Sequence, residues 1–195
     1  MAQATSSYHH GDLPGALVRS AIELLEEDGG NDLSLRAVAR RAGVSTAAPY
    51  RHFADRNALV SAVAGVGYVQ LITELSAIHA EPTTDDELAD IAVGYVRFAL
   101  DHPGLFRVMF AEGCDTENAE RTAAVHAITE YLNATVTRAR TVDDPEALAT
   151  AVWALVHGLA FLHLDGKFDA SSPDEVAHRV KSAVRAVLAL SQPPA

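Results

Sequence analysis

The fold turns on one stretch, "GVSTAAPYRHFADRNAL", Gly43–Leu59. A glycine opens it, hydroxyls follow at Ser45 and Thr46, Pro49 interrupts it, and Tyr50, Arg51 and His52 come in immediate succession. Such a segment is poorly suited to a core. Just upstream, Ser34 is a good N-cap for a short helix that buries Leu35, Val38 and Ala39, and Gly43 is the residue best able to end it in a left-handed conformation. The pieces predict a helix-turn-helix whose second helix lies in the DNA major groove. Gly43 makes the turn, Val44 fills the angle between the helices, and Ser45 or Thr46 caps the second helix while offering a hydroxyl to a phosphate. Pro49 is comfortable only within a first helical turn, so Thr46 is the expected N-cap of a recognition helix that runs to about Phe53, its inward anchor.

Each exposed residue has an expected task. Ala47 and Ala48 keep the helix start slim and present methyls to a thymine methyl. Tyr50 donates to a phosphate, Arg51 to a base edge or phosphate, and His52 supports the backbone contact. Arg56, opening the next helix, meets the phosphate backbone, and Arg36 reaches a base from the groove edge. A net charge of −11 opposes phosphate binding, but it is unevenly distributed. From Ser34 to Arg56 five arginines stand against Asp55 alone, a local +4 that leaves −15 elsewhere.

Beyond this region apolar residues recur at helical spacing with no sustained alternation, so the chain reads as all-α, with about nine helices. The first runs from an Asp12 cap to Gly29-Gly30; later ones are expected at Asp55–Ala80, Asp86–Leu100, Pro103–Ala111, Glu117–Arg140, Pro145–Asp165 and Pro173–Leu190. The expected organisation is a three-helix DNA-binding domain over residues 1–56 and a larger helical bundle over 57–195 for ligand binding and dimerisation. There is no basic and apolar leader at the start and no uninterrupted apolar run of membrane-spanning length, so the expected setting is the cytoplasm, with no membrane partner. A single cysteine, Cys114, excludes an internal disulfide and a cysteine-only metal cluster.

The initial helix "LVRSAIELLEEDG", Leu17–Gly29, and "LSLRAVARRAGVSTAAPYRHFADRNALVSAV", Leu33–Val63, resemble the N-terminal domain of the tetracycline-repressor (TetR) family. The resemblance rests on Ala39, on Ala42 to Ser45, and on Tyr50, His52, Phe53 and Arg56; Pro49 departs from it, standing where many members have leucine or isoleucine. "YHHGDLPGAL", Tyr8–Leu17, and "WALVHGLAFLHLDG", Trp153–Gly166, resemble the branch of that family with a WHG-type C-terminal domain, after Trp153, His157 and Gly158. The resemblance implies a regulator, a repressor by direction of control.

The chain's nine histidines, six of them in the second domain, invite a search for catalysis or metal, and it yields neither. His157 and His163 are six apart and face different sides of a helix, and no HExxH, GxSxG or phosphate-loop pattern occurs. No enzyme activity, cofactor or metal is expected. An apolar helical bundle readily encloses a small-molecule pocket, for which the candidates are Phe98, His102, Phe106, Met109, His126, Trp153 and His157. Homodimerisation is expected through Leu155, Gly158, Leu159 and Leu162 on one helix and Val180, Val184, Val187 and Leu188 on the last. The expected function is a dimeric transcriptional regulator, a repressor released from a palindromic DNA operator by a small-molecule effector of unknown identity. The alternative is a helical small-molecule-binding or enzymatic protein whose DNA-binding motif is vestigial.

Overall fold

A computed structural model describes residues 12–28, 33–111 and 118–190. Cys114, the His9-His10 pair and the Gly29-Gly30 helix end lie outside them. Among the described residues there are eight α-helices, one short 3-10 turn and no strand. The helices are α1 (Leu13–Asp28), α2 (Leu35–Arg41), α3 (Arg56–Ile78), α4 (Asp85–Asp101), α5 (Pro103–Ala111), α6 (Ala119–Ala139), α7 (Pro145–Leu164) and α8 (Pro173–Leu190).

Local signals fix most helix starts. Asp12, Ser34, Asp55, Asn118 and Asp144 each accept a hydrogen bond from the backbone N–H three residues on, satisfying a donor that the first turn leaves unpaired. At α4 the cap is reciprocal: the Thr84 hydroxyl accepts from the Glu87 amide while the Glu87 carboxylate accepts from the Thr84 amide. α2 ends as a Schellman motif, with the Gly43 N–H on the Arg40 carbonyl and the Val44 N–H on the Ala39 carbonyl. Gly43 has φ +69°, where a side chain is strained.

The expected third helix is where structure and sequence part. In place of a helix opening at Thr46 there is a turn closed by the Ala48 N–H on the Ser45 carbonyl, then a single 3-10 turn, Pro49–Arg51. The cause is Pro49. An α-helical bond to the Ser45 carbonyl would need the N–H of residue 49, which proline lacks, so the chain tightens and Ala48 donates instead. Pro49 and Phe53 are buried and hold this short element against the core.

α1, α2 and the start of α3 pack together around Leu17, Ala21, Val38, Leu59 and Val63. The same α3 continues into the larger bundle, where α4 packs against α3, α5, α6, α7 and α8 and buries nine of its residues. Lys181–Asp90 and Arg185–Asp86 ion pairs, at 2.5 and 2.7 Å, strap α8 to α4. α3 and α7 are each long and apolar enough to cross a membrane by length and composition. For α3 that apolarity fills the core; α7 leaves two thirds of its most apolar window unburied.

Candidate nucleic-acid interface and effector site

The turn after Gly43 presents one polar face. Ser45, Thr46, Ala47, Tyr50, Arg51 and His52 are exposed, and Ala48 is half-buried, while Pro49 and Phe53 point inward. Tyr50 is 53% exposed, unusual for an aromatic ring with no packing duty. The five arginines do not act alike. Arg41 is committed to α1, its Nε donating to Glu23 at 3.0 Å and its two terminal nitrogens to Glu27 at 2.5 and 2.6 Å. These bonds hold the Glu27 carboxyl below its ordinary pKa and the guanidinium above its own. Exposed pairs add little stability, but these two, with three hydrogen bonds between them, fix the orientation of α2 on α1. Arg56 Nε donates to the Leu33 carbonyl at 3.0 Å, tying the start of α3 to the approach to α2. Arg36, Arg40 and Arg51 are exposed and make no ion pair among the described residues. Arg40, to which spacing gave no task, is exposed beside the Schellman turn.

In the bundle, Trp153 and His157 converge on a residue that spacing did not pick out. The Tyr95 hydroxyl lies 3.3 Å from Trp153 Nε1 and 3.0 Å from His157 Nδ1. An indole N–H can only donate, so the Tyr95 oxygen accepts from Trp153, and the same hydroxyl shares a second hydrogen bond with His157 Nδ1. Burial raises the Tyr95 pKa and lowers that of His157, so the triad is uncharged at neutral pH. Around it Phe106, Phe110 and Phe161 stack on the His157 ring at 4.5–5.8 Å. Tyr95→Phe leaves both partners without their bond. Because Trp153 and His157 are half-exposed, the expected loss lies near the low end of the range for an orphaned polar group, about 1 kcal/mol, measured by urea unfolding.

Beside this triad, α3, α4, α6 and α7 enclose a cavity of about 30 Å³ lined by Leu75, Ile91, Tyr95, Val136, Ala149 and Trp153 among others. Of the residues singled out as ligand candidates, Trp153 lines it and His157 stands behind Tyr95. Phe98, Phe106 and Met109 are fully buried, Phe106 against the Tyr95 and His157 rings. His126 is exposed on α6 beside Glu130. His102 sits at the α4–α5 corner, 3.5 Å from Glu26 of α1 and 3.3 Å from Gln70 of α3.

That corner joins the two halves of the fold. Gly104, in the first turn of α5, packs so closely on the Leu25 carbonyl of α1 that a Cβ there would collide with it. Midway along α5, Arg107 donates to the Leu164 carbonyl and Asp165 at the C-terminus of α7, with its guanidinium 5.8 Å from the centre of Phe161. α5 therefore touches both the DNA-side helix α1 and the end of α7.

The residues singled out for dimerisation divide. Val180, Val184 and Leu188 are buried within the chain on the α8 face that packs on α4, and Leu159 is buried too. Leu155, Gly158, Leu162 and Val187 keep accessible surface, and a Cβ at Gly158 would meet no atom within 4 Å. Near the end of α7, His163 is buried against Phe168, whose ring Arg179 covers at 4.8 Å. Burial, and then the Arg179 charge, lower the His163 pKa. Since the folded state holds His157 and His163 below the ordinary value of about 6.5, the unfolded chain takes up protons first as pH falls. Their contribution is intact above that pH and turns against folding below it. His163→Leu removes one of these penalties, so its Tm relative to wild type is expected to rise as pH drops from 7.5 to 5.5; a constant or shrinking difference would contradict this.

Residues 88–187, just over half of the chain, match the family described as Tetracyclin repressor-like, C-terminal domain, and residues 17–63 match Bacterial regulatory proteins, tetR family. The Uncharacterized HTH-type transcriptional regulator Rv0681 of Mycobacterium tuberculosis is 26% identical over 163 residues, covering 83% of this chain and 74% of that protein. The tetracycline repressor protein class A from transposon 1721, of Escherichia coli, is 33% identical over 84 residues, 43% of this chain and 37% of that one. Among solved structures, a protein of unknown function from Rhodococcus sp. RHA1 matches with a TM-score of 0.78 at 34% identity, over 96% of this chain and 100% of the other. A TetR-family transcriptional regulator from Streptomyces coelicolor shares the fold, with a TM-score of 0.64 at 20% identity over 92% and 99% of the two chains. The C-terminal match spans the Tyr95, Trp153 and His157 triad and the N-terminal match spans the recognition turn: the chain belongs to the TetR family and is a DNA-binding transcriptional regulator.

Proposed function

We propose that this regulator is a cytoplasmic homodimeric repressor that leaves a two-fold symmetric operator when a small molecule occupies its C-terminal bundle. The observation that carries the reading is the exposed face of Arg36, Arg40, Tyr50 and Arg51, held outward by buried Pro49 and Phe53 while Arg41 is neutralised on α1. Residues 1–56 act as the head and 57–195 as the sensing and pairing body. Tyr50, Arg51 and the hydroxyls of Ser45 and Thr46 meet phosphates and base edges, with Ala47 and Ala48 lying flat toward the groove and His52 beside them. Arg36 reaches the groove edge. Arg56 orients the head through Leu33 and adds its charge nearby.

One turn of this length reads few bases, which favours two heads on one site. The occupant of the unburied α7 face is then a second copy, contacting Ala151, Leu155, Gly158 and Leu162, with Ala183, Ala186 and Val187 of α8 alongside. α7 is the most apolar helix of the fold that leaves such a face open, and Gly158 lets a partner helix approach closely. An effector beside Trp153 displaces α7 or α4, and α5 carries that displacement through Arg107 and Gly104 to α1, changing the separation of the heads. The effector releases DNA only by as much as it prefers the released state.

The test is selection of binding sites from random duplex DNA by the purified protein. Enrichment of a near-palindrome with half-site centres about one helical turn apart, on the order of 34 Å, is expected. Recovery of no site, or of single unpaired half-sites only, would remove the operator reading or its dimeric form respectively.

A further inference from the structure

We infer that the effector is an uncharged, largely apolar molecule carrying one hydrogen-bond acceptor, received between α4, α6 and α7 with Trp153 as the movable wall. The inference rests on the proposal that the bundle senses a small molecule, and it names the chemistry of that molecule. The cavity is aliphatic except at Tyr95, Thr135 and Trp153. No charged side chain lines it. A charged ligand entering there leaves water with nothing of opposite sign to meet, which is strongly unfavourable in an apolar interior.

The polar atoms at the wall narrow the class further. Thr135 donates its hydroxyl to the Tyr131 carbonyl at 2.7 Å. The Tyr95 hydroxyl is already engaged by both Trp153 and His157, and burial favours the neutral form of that histidine. The remaining donor is the Trp153 N–H, whose 3.3 Å contact with Tyr95 is longer than the usual 2.9–3.0 Å. A ligand acceptor takes this bond without disturbing the shorter Tyr95–His157 one. The cavity of about 30 Å³ has room for little more than a water, so binding a molecule of several heavy atoms requires a wall to move. Trp153 is the bulkiest of the three partly exposed wall residues, beside Leu132 and Val152, whereas Leu75, Ile91 and Ala149 are buried.

Trp153 is also the single tryptophan of the chain, so its fluorescence reports on this place alone. The experiment uses the full-length protein at pH 7.5 and three probes on one frame: cyclohexylmethanol, cyclohexanecarboxylate and cyclohexylmethylammonium, each up to about 10 mM. Cyclohexylmethanol is expected to shift the Trp153 emission saturably and raise the Tm, with both ions at least tenfold weaker. An ion that matches the alcohol overturns the inference, as does an alcohol that moves neither signal. Ala92→Leu, which fills the cavity, is expected to abolish the response with the helical signal retained, and an unchanged response would place the probe elsewhere and overturn the site. Should that variant fail to fold, Trp153→Phe read by Tm serves instead, with at least a fivefold weaker alcohol effect expected and an undiminished one counting against the donor. The same wild-type sample is titrated with the selected operator: intact DNA binding beside a failed probe series sinks this inference alone, whereas absent DNA binding sinks the repressor reading and leaves the probe result to judge the pocket.

Discussion

Leu155→Glu is expected to yield a folded monomer whose operator affinity is lower by two orders of magnitude or more. Leu155 lies on α7 in line with Ala151, Gly158 and Leu162, where the chain leaves surface unburied. It is partly buried at the edge of the core rather than among the fully buried residues, so the substitution leaves those in place. In a two-fold pair the change introduces two carboxylates into one apolar contact, and unpaired buried charge costs several kcal/mol per ion. The effect on DNA follows from linkage: joining two weakly binding heads strengthens binding by about 10²–10⁴, and that factor is lost with the dimer. Sedimentation gives the mass and fluorescence anisotropy the affinity. A variant that remains dimeric would move the interface away from α7.

Gly104→Val carries the largest expected effect on the fold itself. The obstacle is the Leu25 carbonyl, part of a helix backbone, rather than the tip of a flexible side chain, so α1 and α5 must separate to admit a Cβ. Overpacking of this kind costs about 1–3 kcal/mol, which for a chain of this size lowers the Tm by roughly 2–12 °C. The same separation slackens the link from α5 to α1, so any DNA binding that remains should respond less to an effector. Gly65→Ala is the control: it sits in α3 with no atom within 4 Å of its added methyl, and replacing a helical glycine there is expected to be neutral or stabilising by up to about 1 kcal/mol. Equal melting of the two variants would refute the close-packed role of Gly104.

Local chemistry made the helix ends legible. Asp12 and Ser34 declare themselves as caps because a side chain three residues from an unpaired amide satisfies it whatever the rest of the protein does. Gly43 is readable for a similar reason, since only the left-handed region completes its turn. The recognition element shows the limit of such rules. Proline in a first turn is permitted, and placing Thr46 as cap satisfies that rule, yet the permission does not say whether the turn will be α or 3-10. The Ser45 carbonyl accepted the nearer donor, Ala48, and the helix shrank to a turn.

What the sequence hides is what depends on distant partners. The stripe of Val180, Val184 and Leu188 has the same spacing whether it faces a second copy or α4, and in the structure α4 covers it. Tyr95 looks like one more apolar position of α4 until Trp153, 58 residues later, meets its hydroxyl. Arg41 resembles Arg40 and Arg51 in sequence, but Glu23 and Glu27 neutralise it, which reduces the cations available to DNA. The family resemblance did reach the right family and fold, because the residues that carry it are local in sequence.

The most direct measurement of the central claim is a titration of the selected operator and a scrambled duplex by wild-type protein and Arg51→Ala, at 50 and 200 mM salt. With Arg36, Arg40 and Arg51 acting on each of two heads, roughly six phosphates are neutralised, so wild-type affinity should fall by about 10³ between the two salts. The operator should be preferred over the scrambled duplex at both salts, and Arg51→Ala should bind more weakly with a shallower salt dependence. Equal affinity for the two duplexes, together with no change on removing Arg51, would contradict the assignment of this surface to sequence-specific DNA binding.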